Sequence, residues 1–326
     1  MRAAMSRRYG APEVLTVEDI PMPSLKPGNV RVRVDVTSVT TGDTRLRGFA
    51  GAGVYWLPLR LMFGVFRPRQ PIPGMEFAGT IDAVADDVTE FKPGDAVFGM
   101  VLRGANAEYL VMPASATIAL RPPVLSNVQA AAVPFGALAA LAFLRDIARL
   151  TPGEKILIAG ASGSVGVFAV QLARYFGATV TGVCSSANAK LVSGLGANAV
   201  IDYTSEDFTQ RTERYDIILD TLRVTRFSRC KRILSPNGRH VFVSSQLREL
   251  LQAVWTSLRP GKRVICGFSS GSKADLQLIS GLIATGILRS VIDREFELDD
   301  IVAAHRFVET GRKKGCLIVR VAADQF

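Results

Sequence analysis

Lys155-Ile-Leu-Ile-Ala-Gly160-Ala-Ser-Gly163-Ser-Val-Gly166, running on through Val-Phe-Ala-Val-Gln-Leu-Ala to Arg174, passes from an apolar run through three glycines into a helical pattern. Lys155 to Ala159 reads as a buried strand, and the stretch that ends at Phe176 reads as a helix. Glycine has no Cβ, so backbone amides at such a turn can approach a pyrophosphate. The helix N-terminus adds oriented N–H groups and a partial positive charge. Gly166 would let the helix pack close to the sheet. The spacing is GxxGxxG, not the strict GxGxxG, and a lone match would be weak because glycines often serve only a tight turn. Here the required context is present: a strand before, a helix after, and a second strand at Thr179 to Cys184. A dinucleotide is therefore expected on Gly160, Ala161, Ser162, Gly163, Ser164, Val165 and Gly166.

Outward from that turn, strands are expected at Ala199 to Ile201, Asp216 to Leu219, His240 to Ser244 and Arg263 to Gly267, alternating with helical stretches. Such alternation predicts a parallel sheet with right-handed crossovers, and six strands fit a doubly wound dinucleotide fold. The first 120 or so residues read as β-rich. Val30 to Val36 alternates Val-Arg-Val-Arg-Val-Asp-Val, the period of a half-exposed strand. Further strands are expected at Gly79 to Val84, Ala96 to Phe98 and Ala107 to Met112. After Phe268 the pattern is mixed, with an amphipathic helix over Asp299 to Thr310 and a closing strand over Cys316 to Val321 that should rejoin the first domain. The expected division is 1–123, 124–268 and 269–326, the first and last parts forming one domain.

The end of the second strand bears on the choice of nicotinamide cofactor. NAD-specific sites place Asp or Glu there, about 20 residues past the turn, to hold the ribose hydroxyls. This chain has Cys184-Ser185-Ser186, with Asn188 and Lys190 just beyond. With no carboxylate in that segment to repel a 2′-phosphate, Ser185, Ser186 and Lys190 favour NADPH, with NADH as the alternative. The serines could instead only cap the following helix.

Composition excludes several classes. The four cysteines, Cys184, Cys230, Cys266 and Cys316, are widely spaced without a CxxC, which argues against a disulfide scaffold and a structural zinc site. The two histidines, His240 and His305, leave few ligands for any metal, and both read as structural. A formal charge of +10 could attract nucleic acid, an acidic membrane or phosphorylated ligands. The cations are scattered, however, and neither an RNA-binding aromatic signature nor a zinc-finger spacing accompanies them. No apolar leader region is legible at Met1 to Gly10, so the cytoplasm is the expected location. Ala130 to Leu144 is too short to span a bilayer, is broken by Pro134 and Gly136, and reads as a buried core helix.

Across nearly its whole length the chain resembles the medium-chain dehydrogenase/reductase superfamily. The resemblance rests on Met1-Arg-Ala-Ala, Pro73-Gly-Met-Glu-Phe-Ala-Gly79, Phe91-Lys-Pro-Gly-Asp-Ala-Val-Phe98, Ala130-Ala-Ala-Val-Pro134 and Gly160 to Gly166. Gly177-Ala178, Leu195-Gly-Ala197 and Val200-Ile-Asp-Tyr203 fit as well. Within the superfamily it is similar to the quinone oxidoreductase branch, which also contains enone and alkenal reductases. The resemblance implies a Rossmann doubly wound parallel sheet joined to a mostly β, GroES-like catalytic domain. Zinc alcohol dehydrogenases of the superfamily carry Gly-His-Glu where this chain has Gly74-Met75-Glu76, and an early cysteine near Ser38 to Asp43 where it has none. A thioether is a poor substitute for an imidazole on zinc, so the resemblance implies metal-free chemistry. It also aligns Tyr203 and Lys314 with positions near the cofactor, although a strand-end packing residue and a surface cation are the plain alternatives.

Metal-free members transfer hydride to a quinone or to the β-carbon of an activated alkene. Donors aimed at the carbonyl oxygen would stabilise its developing charge. The segment matching the family's active-site floor offers Thr40, Thr41, Asp43 and Arg45. Arg45 stands where many quinone reductases have a tyrosine, and Ala139 where a threonine is common. Structural readings compete: Asp43 as a turn cap, Arg45 as a solvated cation. The apolar run Val54 to Phe66 reads as a substrate lobe, as a core element or as a membrane contact. The expected protein is a zinc-independent, NADPH-dependent reductase of quinones or α,β-unsaturated carbonyls. It should be a homodimer pairing Arg263 to Phe268, without nucleic-acid binding or stable membrane insertion. The alternatives are a zinc-free alcohol dehydrogenase and a non-catalytic NADPH-sensing protein that binds membrane or RNA.

Overall fold

The computed structural model describes residues 1–49, 53–269 and 271–321. Two compact units emerge: residues 1–135, 272–285 and 290–326 form the first, and 136–271 with 286–289 the second.

In the first unit, β1 (Arg2–Ser6) pairs antiparallel with β2 (Leu15–Asp19) as a two-stranded sheet. The main sheet uses β3 (Asn29–Ser38), β4 (Glu76–Val84), β5 (Ala96–Met100), β6 (Tyr109–Pro113) and β7 (Ile118–Leu120). The alternation read at Val30 to Val36 holds: Val30, Val32, Val34 and Val36 are buried, while Arg33 is exposed. Past Val36 consecutive residues are buried, so both faces of the strand are covered there; its first half pairs with β6 and its last residues pair elsewhere in the sheet. Between β3 and β4 lie α1 (Thr41–Gly48) and α2 (Trp56–Phe63). Helix α2 overturns the core alternative for residues 54–66: of its eight residues only Phe63 is buried.

The Ala130 to Leu144 run is buried as expected but is not one helix. It forms α3 (Asn127–Ala131), α4 (Pro134–Leu141) and a π-helical segment, Ala142–Ile147. Pro134 lacks an N–H and opens a helix readily but cannot continue one, so the chain restarts there.

In the second unit, β8 (Lys155–Ala159), β9 (Thr179–Cys184), β10 (Ala199–Asp202), β11 (Tyr215–Asp220), β12 (Leu234–Phe242) and β13 (Arg263–Cys266) are all parallel, in the order β10-β9-β8-β11-β12-β13. Renumbered within the unit this is 3-2-1-4-5-6, the doubly wound dinucleotide order, whose switch point lies beside β8. The helices are α5 (Ser164–Tyr175), α6 (Ala189–Gly194), α7 (Phe227–Cys230) and α8 (Leu247–Ser257). Every residue of α5 from Ser164 to Ala173 is buried. Its one long polar side chain there, Gln171, is satisfied: the amide donates to Val167 O at 2.8 Å and Arg289 O at 3.1 Å and accepts from Arg289 N at 2.9 Å. That satisfaction removes the cost of burying an amide and fastens residues 286–289 to this unit.

The tail completes the first unit with α9 (Lys273–Ala284), β14 (Ile292–Glu297), α10 (Ile301–Glu309) and β15 (Cys316–Arg320). The closing strand does rejoin the first sheet, with Ile318 opposite Ser38 and Arg320 opposite Val36. His305 on α10 is fully buried and neither ring nitrogen has a hydrogen-bond partner among the described residues. Burial, with Arg47 and Arg103 nearby, lowers its pKa to about 3, so the ring is neutral. No described helix is long and apolar enough to cross a membrane.

Candidate functional site

The glycine turn leaves β8 and enters α5 with its backbone held by β9. Gly160 N and Ala161 N both donate to Val183 O at 3.1 Å, and Gly163 N donates to Gly160 O at 3.0 Å. The glycines have different reasons. Gly160 sits at φ +81, and a Cβ there would meet Thr221 Oγ1 at 2.5 Å and the Leu222 side chain. A Cβ on Gly166 would meet Gly160 O at 2.1 Å, which fixes how closely α5 approaches the turn. Gly163 has an ordinary backbone, φ −77 and ψ 173, and a Cβ would meet nothing nearer than 3.4 Å. Nothing in the fold requires glycine at 163. A glycine there would let a ligand approach the backbone, at a helix N-terminus whose capping residue has no side chain to satisfy the first-turn amides. The cradle therefore fits a dinucleotide pyrophosphate.

At the end of β9, Asn188 Nδ2 donates to Ser162 Oγ at 3.1 Å and to Ser185 Oγ at 3.4 Å, tying the glycine turn to the strand end. Lys190 is exposed one turn later. A carboxylate that the linear reading did not place here is Asp202, the last residue of β10, in register with Cys184. Its pKa is held low by hydrogen bonds from Thr204 and from the backbone and hydroxyl of Ser186, so it is ionised beside the strand end. The segment after β9 itself carries no carboxylate, as read, and the neighbouring strand supplies one. Asp202 stands 18 positions beyond Cys184 in the chain, and only the pairing of β10 with β9 brings it in. Tyr203 follows it, exposed, its N–H donating to Cys184 O at 3.2 Å.

The loop after β11 forms the turn's other wall. Thr221 Oγ1 donates to Ala159 O at 2.9 Å. The loop is shaped by fully buried Asp220, whose carboxylate accepts from the amides of Leu222, Arg223, Val224 and Thr225. Arg223 is held at φ +59, a left-handed conformation unusual for a non-glycine residue. His240 Nε2 lies 2.8 Å from Thr225 Oγ1, which makes that histidine part of the loop's support. The signal for this wall, Asp220-Thr-Leu-Arg223 at a strand end, was present in the chain but carries no motif.

The first unit holds the other candidate residues. Thr40 caps α1: Asp43 N donates to Thr40 Oγ1 at 3.1 Å, while Thr40 N and Oγ1 donate to Asp43 Oδ2 at 2.8 and 2.7 Å. Asp43 Oδ1 accepts from Gly74 N at 3.0 Å. Both residues are buried, and burial raises the Asp43 pKa against those hydrogen bonds. Thr40 Oγ1 also lies 3.6 Å from Met75 Sδ. Next in the chain, buried Glu76 accepts from Ser38 Oγ and, at 2.6 Å, from Phe135 N; burial pushes its pKa up to about 7. Thr37 Oγ1 donates to Glu76 O at 2.7 Å and lies 2.9 Å from Asn106 Oδ1. Arg45 lies on the exposed side of α1.

The glycine turn is linked through Asn188 to Ser185, Tyr203 is linked to the end of β9, and Ser186 and Lys190 lie on the segment between, all in the second unit. Thr40 and Asp43 are joined in one capping box within the first, and Lys314 is an exposed residue of that unit, its N–H donating to Asp293 Oδ2 at 3.0 Å. Among the described residues no group of three or more His, Cys, Asp or Glu could hold a metal ion.

Comparison with known proteins agrees with this layout. Residues 26–122 match the family model of the alcohol dehydrogenase GroES-like domain, and residues 195–319 that of a zinc-binding dehydrogenase. The chain is 31% identical to the chloroplastic quinone-oxidoreductase QR1 of Triphysaria versicolor, covering 98% of both chains. It is 27% identical to 2-methylene-furan-3-one reductase of Solanum lycopersicum, over 98% of this chain and 79% of that one. Among solved structures, the quinone oxidoreductase from Coxiella burnetii superposes with a TM-score of 0.86 at 27% identity, over 99% of each chain.

Proposed function

The chain belongs to the medium-chain dehydrogenase/reductase superfamily, in its quinone oxidoreductase branch, and from that premise we propose a zinc-independent reductase that carries hydride from NADPH to a quinone or an α,β-unsaturated carbonyl. It is an NAD(P)H-dependent oxidoreductase with a Rossmann unit and a GroES-like unit. The observation that carries the proposal is Gly163, a glycine the fold does not need and a close-lying pyrophosphate does.

A bound nicotinamide supplies the hydride, and the chain supplies binding, orientation and electrostatics. Gly160 to Gly166 hold the pyrophosphate through backbone amides and the α5 dipole. Ser185, Asn188, Lys190 and Tyr203 take the adenosine end, Lys190 meeting the 2′-phosphate. Asp202 opposes that phosphate and is the reason for testing NADH in parallel. Thr40 and Asp43 already satisfy one another, so they act by fixing the α1 turn and Gly74 rather than by donating to substrate. Metal independence is supported by Met75, whose thioether takes the place of an imidazole ligand.

A homodimer is part of the same reading. Strand β13 is an edge of its sheet, and α8 beside it exposes Leu247, Leu251 and Val254 at helical spacing, with exposed Leu258 just past its end. The test is the initial rate of NADPH oxidation by EDTA-treated protein against 1,4-quinones, 2-enals and cyclic enones, with NADH alongside. Turnover of one acceptor class with NADPH preferred is expected. Tight NADPH binding with no turnover of any acceptor would overturn the reductase.

A further inference from the structure

Helix α2 and the residues after it present apolar side chains on a segment that carries only positive charge. Leu57, Leu61 and Met62 are 59%, 55% and 52% exposed; Leu57 and Leu61, four residues apart, share one face of α2, and Met62 widens it on one side. After the turn at Gly64 come Val65, 43% exposed, and Phe66, 92% exposed. From Thr44 to Met75 the chain has five arginines and no Asp, Glu or Lys. Arg67 and Arg69 are exposed, and no ion pair among the described residues engages Arg60, Arg67 or Arg69.

The opposite side of the segment is fastened. Tyr9 Oη donates to Gly64 O at 2.8 Å, and Arg60 donates to Val65 O at 2.8 Å. The Arg60 guanidinium lies 3.9 Å from the Tyr9 ring centroid, 4.4 Å from Phe49 and 5.3 Å from Trp56. Cation–π contacts and a buried Phe63 therefore hold the apolar ridge outward. An exposed ridge of this kind marks a contact surface, and its charge decides the partner.

We infer that the face made by α2 and residues 65–69 docks on an anionic phospholipid bilayer. Leu61, Met62 and Phe66 enter the interfacial layer, and Arg67 and Arg69 meet headgroup phosphates and carboxylates. A second copy of the chain is a poorer occupant, because an isologous contact sets Arg67 and Arg69 against their own counterparts. RNA would use the arginines and stacking aromatics but leave Leu57, Leu61 and Met62 unburied. The inference does not depend on the reductase reading.

The test is flotation of the full chain with phosphatidylcholine vesicles, with and without phosphatidylserine. Binding is expected only with phosphatidylserine, weakening as salt rises. L61S/F66S should reduce partitioning about ten-fold or more, from the apolar area withheld. R67E/R69E should reduce it by at least about five-fold per arginine at the anionic surface. NADPH binding by both variants reports folding and should be unchanged. Equal binding to neutral vesicles would overturn the inference. So would variants that float like the parent chain, or a fall in oligomeric mass when Leu61 and Phe66 are replaced.

Discussion

The glycine turn of the second unit and the Thr40–Glu76 floor of the first hold polar groups in place by opposite means. The turn is built from backbone: its donors are amides, its shape comes from missing side chains, and one residue, Gly163, is left open toward a ligand. The floor is built from side chains drawn from β3, α1, β4 and the residues around Asn106, linked to one another by buried hydrogen bonds, with Asn106 Nδ2 left without a partner among the described residues. A backbone site depends on spacing within a few consecutive residues. A side-chain site depends on distant segments meeting, and so it tolerates little change in the fold around it.

The sharpest way to break that contrast is Gly166→Val. Its side chain would occupy the space of Gly160 O, and NADPH affinity should fall by more than about 100-fold, with a lower melting temperature. Fluorescence titration and thermal unfolding measure both effects.

On the floor, Asp43→Ala leaves the amides of Thr40 and Gly74 and the Thr40 hydroxyl without their acceptor. Stability should drop by about 2–4 kcal/mol in urea unfolding, since buried donors lose their partner. A loss below about 1 kcal/mol would mean that the floor is not a coupled network.

Glu76 adds a pH dependence. Its folded pKa, about 7, lies above the ordinary 4.5, so the folded state binds more protons between those values. Stability should therefore be highest below pH 4.5 as far as this group is concerned and fall as pH rises through 7, by at most about 3 kcal/mol. Glu76→Gln should flatten that slope in unfolding measured across the window. An unchanged slope would assign it to another group.

Gly163→Ala sharpens the comparison from the other side. The fold has room for the methyl group, so the melting temperature should stay put while NADPH affinity weakens about ten-fold from blocked backbone approach. Equal loss of stability and affinity would show a turn needed by the fold alone. The smallest expected effect is Lys190→Ala, about three- to ten-fold weaker NADPH binding with NADH unchanged, for the loss of one exposed charge-assisted contact.

What sequence could determine was whatever is local. The apolar run of β8, the glycine spacing and the strand at Thr179 to Cys184 lie within 30 consecutive residues, and the structure places β8 and β9 at the residues expected. The alternating valines of β3 were legible for the same reason: side chains of a strand take opposite faces at a period of two. A strand as short as β7, with three residues, cannot show a period. Only the tertiary structure brought Asp202 beside Ser186 and joined Asp43 to Gly74. It also decided that the apolar segment at 54–66 faces outward, because burial of a helix face is set by what else in the chain arrives to cover it.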